Sequence, residues 1–146
     1  MSVGQSAPAR CDDLNCEVIE EFRANGGHVG GTLAGTSLIL LHHIGARTGI
    51  VRVTPLAYSA RDDGRLAIVA SNGGSPTHPD WYHNLKAHPR VEVELGTETF
   101  AALADELDGG ARERVWAELV AEAPTLGLYQ SMTTRRIPVF LLTRRS

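Results

Sequence analysis

What this chain has little of narrows its chemistry first. It holds only two cysteines, Cys11 and Cys16, five positions apart near the N-terminus, which suits neither a disulfide framework nor a zinc site. Aromatic residues make up 5% of the sequence, so any cluster of them stands out. No apolar run approaches the roughly 20 residues that cross a bilayer as a helix. The opening residues, 1–15, lack the apolar core of a secretory signal. The expectation is therefore a cytoplasmic location, with membrane contact at most peripheral. Basic residues are not in excess either: 14 Lys and Arg against 17 Asp and Glu leave a net charge of −3, which argues against nucleic acid as the main partner. There is no Gly-x-Ser-x-Gly elbow for a hydrolytic serine, and no Gly-Lys-Ser/Thr ending of a Walker loop.

The gaps in charge are informative as well. Residues 23–60 contain no Asp or Glu but do carry Arg23, Arg47 and Arg52, with Arg61 just beyond. Residues 123–146 are also acid-free and carry Arg135, Arg136, Arg144 and Arg145. Residues 91–122 hold nine carboxylates against two arginines. Such sorting can present one cationic face, suited to an anionic small ligand. The plainer alternative is that buried strands exclude charge of either sign.

At 146 residues the chain fits one domain, expected over residues 12–146 behind a frayed tail, 1–11. An Asp12 or Asp13 N-cap opens a helix through about Arg23, with Leu14, Val18, Ile19 and Phe22 on one face. Residues 37–44 read as a buried strand. Residues 50–59 read as a second, broken or edged at Pro55. Residues 65–70, 91–95, 99–107 and 137–142 supply further strands, mostly linked by hairpins. Residues 80–87 and 108–123 read as helices, ended by Pro89 and Pro124. The pattern is α+β: a small antiparallel barrel decorated by helices.

Six histidines invite a metal, yet His78, His83 and His88 are five apart, each turned about 140° from the last on a helix. His42 and His43 point to opposite sides of a strand. No metal site is expected. The Gly45-Ala-Arg-Thr-Gly49 link is more telling. Glycines let backbone amides approach an anion, and Arg47 and Thr48 can hydrogen-bond phosphate oxygens. Taken alone it also reads as an ordinary hairpin. The run Ala70-Ser-Asn-Gly-Gly-Ser-Pro-Thr-His-Pro-Asp-Trp-Tyr-His-Asn-Leu85 gathers small residues after a strand, where backbone could lie against a flat ring. It then enters a helix on which Trp81 and Leu85 would face the core.

These segments together (41–49, Arg52, Pro55-Leu56, 70–85 and Pro89) closely resemble the deazaflavin-dependent nitroreductase family, and the likeness runs from Glu20 to Val139. The resemblance implies a split β-barrel of the FMN-binding type that holds coenzyme F420, whose flat deazaflavin carries a phosphodiester and an oligoglutamate tail. It implies that Gly45, Arg47, Thr48 and Gly49 hold the phosphate, with Arg52 beside phosphate or tail. Pro55, Leu56, Ala70, Ser71, Gly73, Gly74, Ser75 and Pro76 would line the ring, and Trp81, Tyr82, Asn84, Leu85 and Lys86 would close the site. Asn72 stands where the family usually has Lys, which weakens one contact. The segment 123–130 keeps only Tyr129 of several tyrosines in the nitroimidazole-reducing member, which favours quinone-like acceptors over nitro drugs. The implied reaction is hydride transfer from reduced F420 to an electron-poor hydrophobic acceptor: a menaquinone-like quinone, an enone or a nitro compound. The acceptor's proton would come from Tyr129, Ser71 or solvent. An FMN oxidoreductase of the same barrel type, or a non-catalytic F420-storing protein, are the alternatives.

Overall fold

The structure, a computed structural model, describes residues 13–30 and 37–145. The first helix, α1 (Asp13–Ala24), is followed by β1 (Leu38–Ile44), β2 (Val51–Ala57), β3 (Ser59–Ala60) and β4 (Leu66–Val69). After a 3-10 turn at Asn72–Gly74 come α2 (Asp80–Ala87), β5 (Arg90–Leu95), β6 (Glu98–Glu106), α3 (Gly109–Glu122), α4 (Thr125–Ser131) and β7 (Val139–Arg144). The expected tail, 1–11, lies outside the described residues.

All pairings in the seven-stranded sheet are antiparallel, in the order β2-β1-β5-β6-β7-β4-β3. The two outermost strands, β2 and β3, are consecutive in sequence and separated by Tyr58 alone. One residue spans only about 3.5 Å per step, so the edges of the sheet must come together. The sheet curls into a half-barrel, and the unpaired seam between β2 and β3 leaves it split. Pro55 sits within β2 opposite Leu40. An edge strand tolerates a residue without an amide hydrogen.

Alternation along β1 builds two cores at once. Ile39 and Leu41 point into the barrel, where they join Ile68, Val93, Phe140 and the α2 residues Trp81 and Leu85. Leu38 and Leu40 point outward and are covered by Ile19 and Phe22 of α1. Phe22 is 1% exposed, and burying it stabilises the helix by roughly 1.5–3 kcal/mol. A third cluster packs Val115 and Leu119 of α3 on Ala67, Val139 and Leu141.

Several expectations need correction. The strand at residues 50–59 is two strands, β2 and β3, because the chain must cross from one sheet edge to the other. The last strand starts at Val139 instead of residue 137, since Pro138 cannot donate to a ladder. Thr125–Ser131, which carries Tyr129 and is not among the expected helices, is helical. Cys16 is disulfide-bonded: the spacing argument excludes a framework of several bridges, not a single one. Cys11 lies outside the described residues.

Part of the charge sorting comes from ion pairing between the segments. Arg23 pairs with Glu94, Arg61 with Glu118 and Glu122, Arg136 with Glu113, and Arg144 with Glu98. The acid-free and acid-rich segments lie side by side and neutralise each other at these four arginines.

Candidate active site

Of the arginines in those segments that pair with no carboxylate, Arg47 and Arg52 share a cavity. Among the described residues, neither the Arg47 nor the Arg52 guanidinium has a hydrogen-bond or ion-pair partner. Both line a cavity of ≈ 520 Å³ together with Gly45, Ala46, Thr48, Asp80, His83 and Asn84. The loop that forms one wall is closed by Gly45 N–H to Ile50 O and Gly49 N–H to Gly45 O, each 2.9 Å. The Thr48 hydroxyl accepts from Ile50 N–H at 3.2 Å, and a Cβ on Gly45 would collide with that hydroxyl. Gly49 takes φ +70°, which a side chain would strain. These bonds account for the loop's amides except three. Ala46 N–H goes to Asn84 Oδ1 at 2.9 Å, and those of Arg47 and Thr48 have no partner among the described residues.

The opposite wall is the first turn of α2. Its N-cap is Pro79, and Asp80 adds one carboxylate to the lining of the cavity. Behind it, Asn84 Nδ2 lies 2.9 Å from His43 Nδ1, and His43 Nε2 lies 2.8 Å from Thr54 Oγ1. His43 is 2% exposed. Burial, then the positive charges of Arg52 and His42, push its pKa down to about 4, with Asp80 opposing.

The turn after β4 is held from above by one residue. Arg135 donates from Nη1 to Ala70 O (3.2 Å), from Nη2 to Ser71 O (2.8 Å) and from Nε to Ser75 O (3.0 Å). Its Nη1 also lies 3.0 Å from His78 Nδ1. Partial burial lowers the Arg135 pKa from the ordinary guanidinium value. Asn72 adopts φ +47°, a conformation Asn tolerates better than most side chains, and donates from Nδ2 to Thr77 O. His78 stacks on Tyr82 with ring centroids 4.0 Å apart and meets His83 edge-on. This aromatic cluster joins the turn to the cavity.

α4 lies across the same turn. A Cβ on Gly74 would come within 3.1 Å of both Tyr129 O and Met132 Cβ, so the turn and α4 touch through a residue that must be glycine. Tyr129 is half-buried, while Leu128 and Met132 are 60% and 61% exposed.

The residues expected to form the site divide accordingly. Gly45, Arg47, Thr48, Arg52 and Asn84 share the cavity. Gly49 shapes its loop without lining it. Ala70, Ser71, Asn72, Gly73, Gly74, Ser75 and Pro76 form the turn beneath Arg135 and α4. Pro55 and Leu56 are half-buried on β2. Trp81 and Leu85 are core residues, Trp81 against Phe140. Lys86 is tied to Glu106 at 2.7 Å, and Tyr82 points its hydroxyl toward the same carboxylate. Among the described residues no group of three His, Cys, Asp or Glu could hold a metal. Sequence reasoning passed over His43, Ala46, Asp80, His83 and the role of Arg135. The inward position of His43 on a buried strand was the one available signal.

The family model for F420H(2)-dependent quinone reductase matches residues 15–144. An F420H(2)-dependent quinone reductase of Mycobacterium tuberculosis (strain ATCC 25618 / H37Rv) is 43% identical over 129 residues, covering 85% of each chain. Among solved structures, an F420-H2-dependent reductase superposes with a TM-score of 0.65 at 40% identity, over 73% of this chain and 93% of the other. A domain-swapped dimer gives 0.67 at 38% identity, over 87% and 92%.

Proposed function

The chain belongs to the F420H(2)-dependent quinone reductase family, and on that premise we propose that it reduces flat, hydrophobic, quinone-like carbonyl compounds with reduced coenzyme F420. As an F420H2-dependent reductase it needs a place for an anionic coenzyme. One observation carries the assignment of that place: Arg47 and Arg52 stand unpaired in a cavity beside the partnerless amides of Arg47 and Thr48. Two guanidiniums against the single carboxylate of Asp80 leave the cavity cationic, which fits a phosphodiester.

In this reading Arg47, Thr48 and the two amides bind phosphate oxygens, and Arg52 reaches phosphate or the glutamate tail. Pro55, Leu56 and the turn from Ala70 to Pro76 present small or apolar surface to the ring, and Arg135 keeps that surface in shape. Coenzyme F420, when bound, supplies the hydride. The chain's contribution is to orient both partners and exclude water. α4 and its C-cap Met132 form the acceptor side: Leu128 and Met132 make an apolar wall, and the Tyr129 hydroxyl hydrogen-bonds the acceptor's carbonyl or hands it a proton.

The test is steady-state oxidation of reduced F420 with a panel of acceptors. Menadione-type quinones should outperform polar nitroimidazoles. Tyr129→Phe should lower quinone turnover with coenzyme affinity nearly unchanged, because only the hydroxyl is lost. Unchanged turnover in that variant with every acceptor removes Tyr129 from the reaction, and a preference for nitroimidazoles removes the quinone assignment.

A further inference from the structure

The bonds around Asn84 can be satisfied in only one direction. Asn84 Oδ1 accepts from Ala46 N–H, so its amide nitrogen is the group facing His43 Nδ1. A flipped amide would set NH2 against N–H. Since the Asn84 NH2 donates, His43 Nδ1 must be bare, and the single imidazole proton sits on Nε2, donated to Thr54 Oγ1. A doubly protonated ring would turn an N–H toward the Asn84 NH2, so the network excludes the charged form as well. Three bonds of 2.8–2.9 Å thus run from β2 through β1 and α2 to the loop at Ala46.

We propose that His43, locked in its Nε2–H tautomer, is a positioning residue for coenzyme binding, which acts through Asn84 to hold the Gly45–Gly49 loop with the amides of Arg47 and Thr48 free for the anion. The inference rests on the coenzyme reading above for the identity of that anion. The amides of Gly45, Gly49 and Ile50 bond within the loop and those of Arg47 and Thr48 stay open, so among the described residues Asn84 supplies the hydrogen bond that sets the loop against α2. Because His43 has no direct path to the cavity, it serves only by fixing which way Asn84 faces.

Nitrogen NMR of the full-length protein reports the tautomer directly. From pH 8 to pH 5 His43 should show a protonated Nε2 and a bare Nδ1. His43→Phe, which keeps ring volume and removes both nitrogens, should weaken F420 binding about tenfold, the loss of one hydrogen bond's worth. Binding of inorganic pyrophosphate should weaken in proportion, and the Ala46 amide should exchange faster. Asn84→Ala should act alike, and the double variant should be little worse than either, because the residues form one chain. A protonated Nδ1 or a charged ring at pH 7 overturns the proposal. So do variants that lose thermal stability but bind both ligands like wild type. Should both variants fail to fold, the wild-type tautomer and slow Ala46 exchange decide alone. A wild type that binds pyrophosphate but not F420 sinks the coenzyme reading and leaves the clamp to be judged on the pyrophosphate arm. Binding of neither sinks both.

Discussion

Arg47 and Arg23 are chemically the same and were grouped together by the acid-free stretch that holds them, yet the fold treats them differently. Arg23 is engaged by both oxygens of Glu94 at 3.0 and 2.6 Å, whereas Arg47 stands at the cavity with no partner among the described residues. An unpaired guanidinium next to two unpaired amides has no folding role to lose. Arg47→Ala should therefore leave stability unchanged and remove a charge-assisted bond worth about 1.5–3 kcal/mol, so that F420 affinity falls roughly 10- to 100-fold. Raising ionic strength should weaken wild-type binding and narrow the gap between the two proteins. Fluorescence titration checks both, and an Arg47→Ala protein that binds like wild type would return the loop to an ordinary hairpin.

Gly74 joins two elements, and its replacement tests whether they work as one. At φ +82°, with Tyr129 O and Met132 Cβ 3.1 Å from any added Cβ, Gly74→Ala must push α4 away from the turn. The expected result is a loss of about 1–3 kcal/mol in stability by denaturant titration, with acceptor KM raised more than coenzyme Kd. Equal stability and kinetics would show that α4 does not depend on the turn. This contact also marks how far the sequence could be read. The helix at residues 80–87, the helix after Asp108, the buried run of β1 and the strand β5 were legible, because apolar runs, periodicity and proline stops are local signals. α4 was not: a seven-residue helix after Pro124 carries too few periodic positions, and it is held by Gly74, far away in the chain. The loop residues Gly45, Arg47 and Thr48, which share the cavity, could be singled out by residue type. The pairing of segments 91–122 with the arginines was not, because identifying a charge's partner requires the sheet order.

Across the whole molecule, acid should weaken the fold before carboxylates begin to titrate. The folded-state pKa of His43 is depressed from 6.5 to about 4, first by burial, then by Arg52 and His42, with Asp80 opposing. As pH falls below 6.5, unfolded chains take up a proton that folded ones refuse. The stability associated with neutral His43 is thus complete above pH 6.5 and declines toward pH 4, by about 3 kcal/mol at most. His78, lowered by partial burial and then by Arg135, acts in the same direction. Glu94, held below the usual carboxylate range first by its hydrogen bond from Arg23, loses its contribution only at lower pH, as it protonates. Urea unfolding between pH 7.5 and 4.5 should show this decline, and His43→Phe should flatten it; an identical slope in the variant would assign the decline to other groups. Function at the same scale depends on which ring system the half-barrel holds, since a phosphate loop and a ring platform would suit either a deazaflavin or a flavin. The most direct measurement is titration of the purified protein with F420 and with FMN, side by side at physiological salt. A cavity built as described predicts that F420 binds more tightly, and FMN binding as tight or tighter would contradict it.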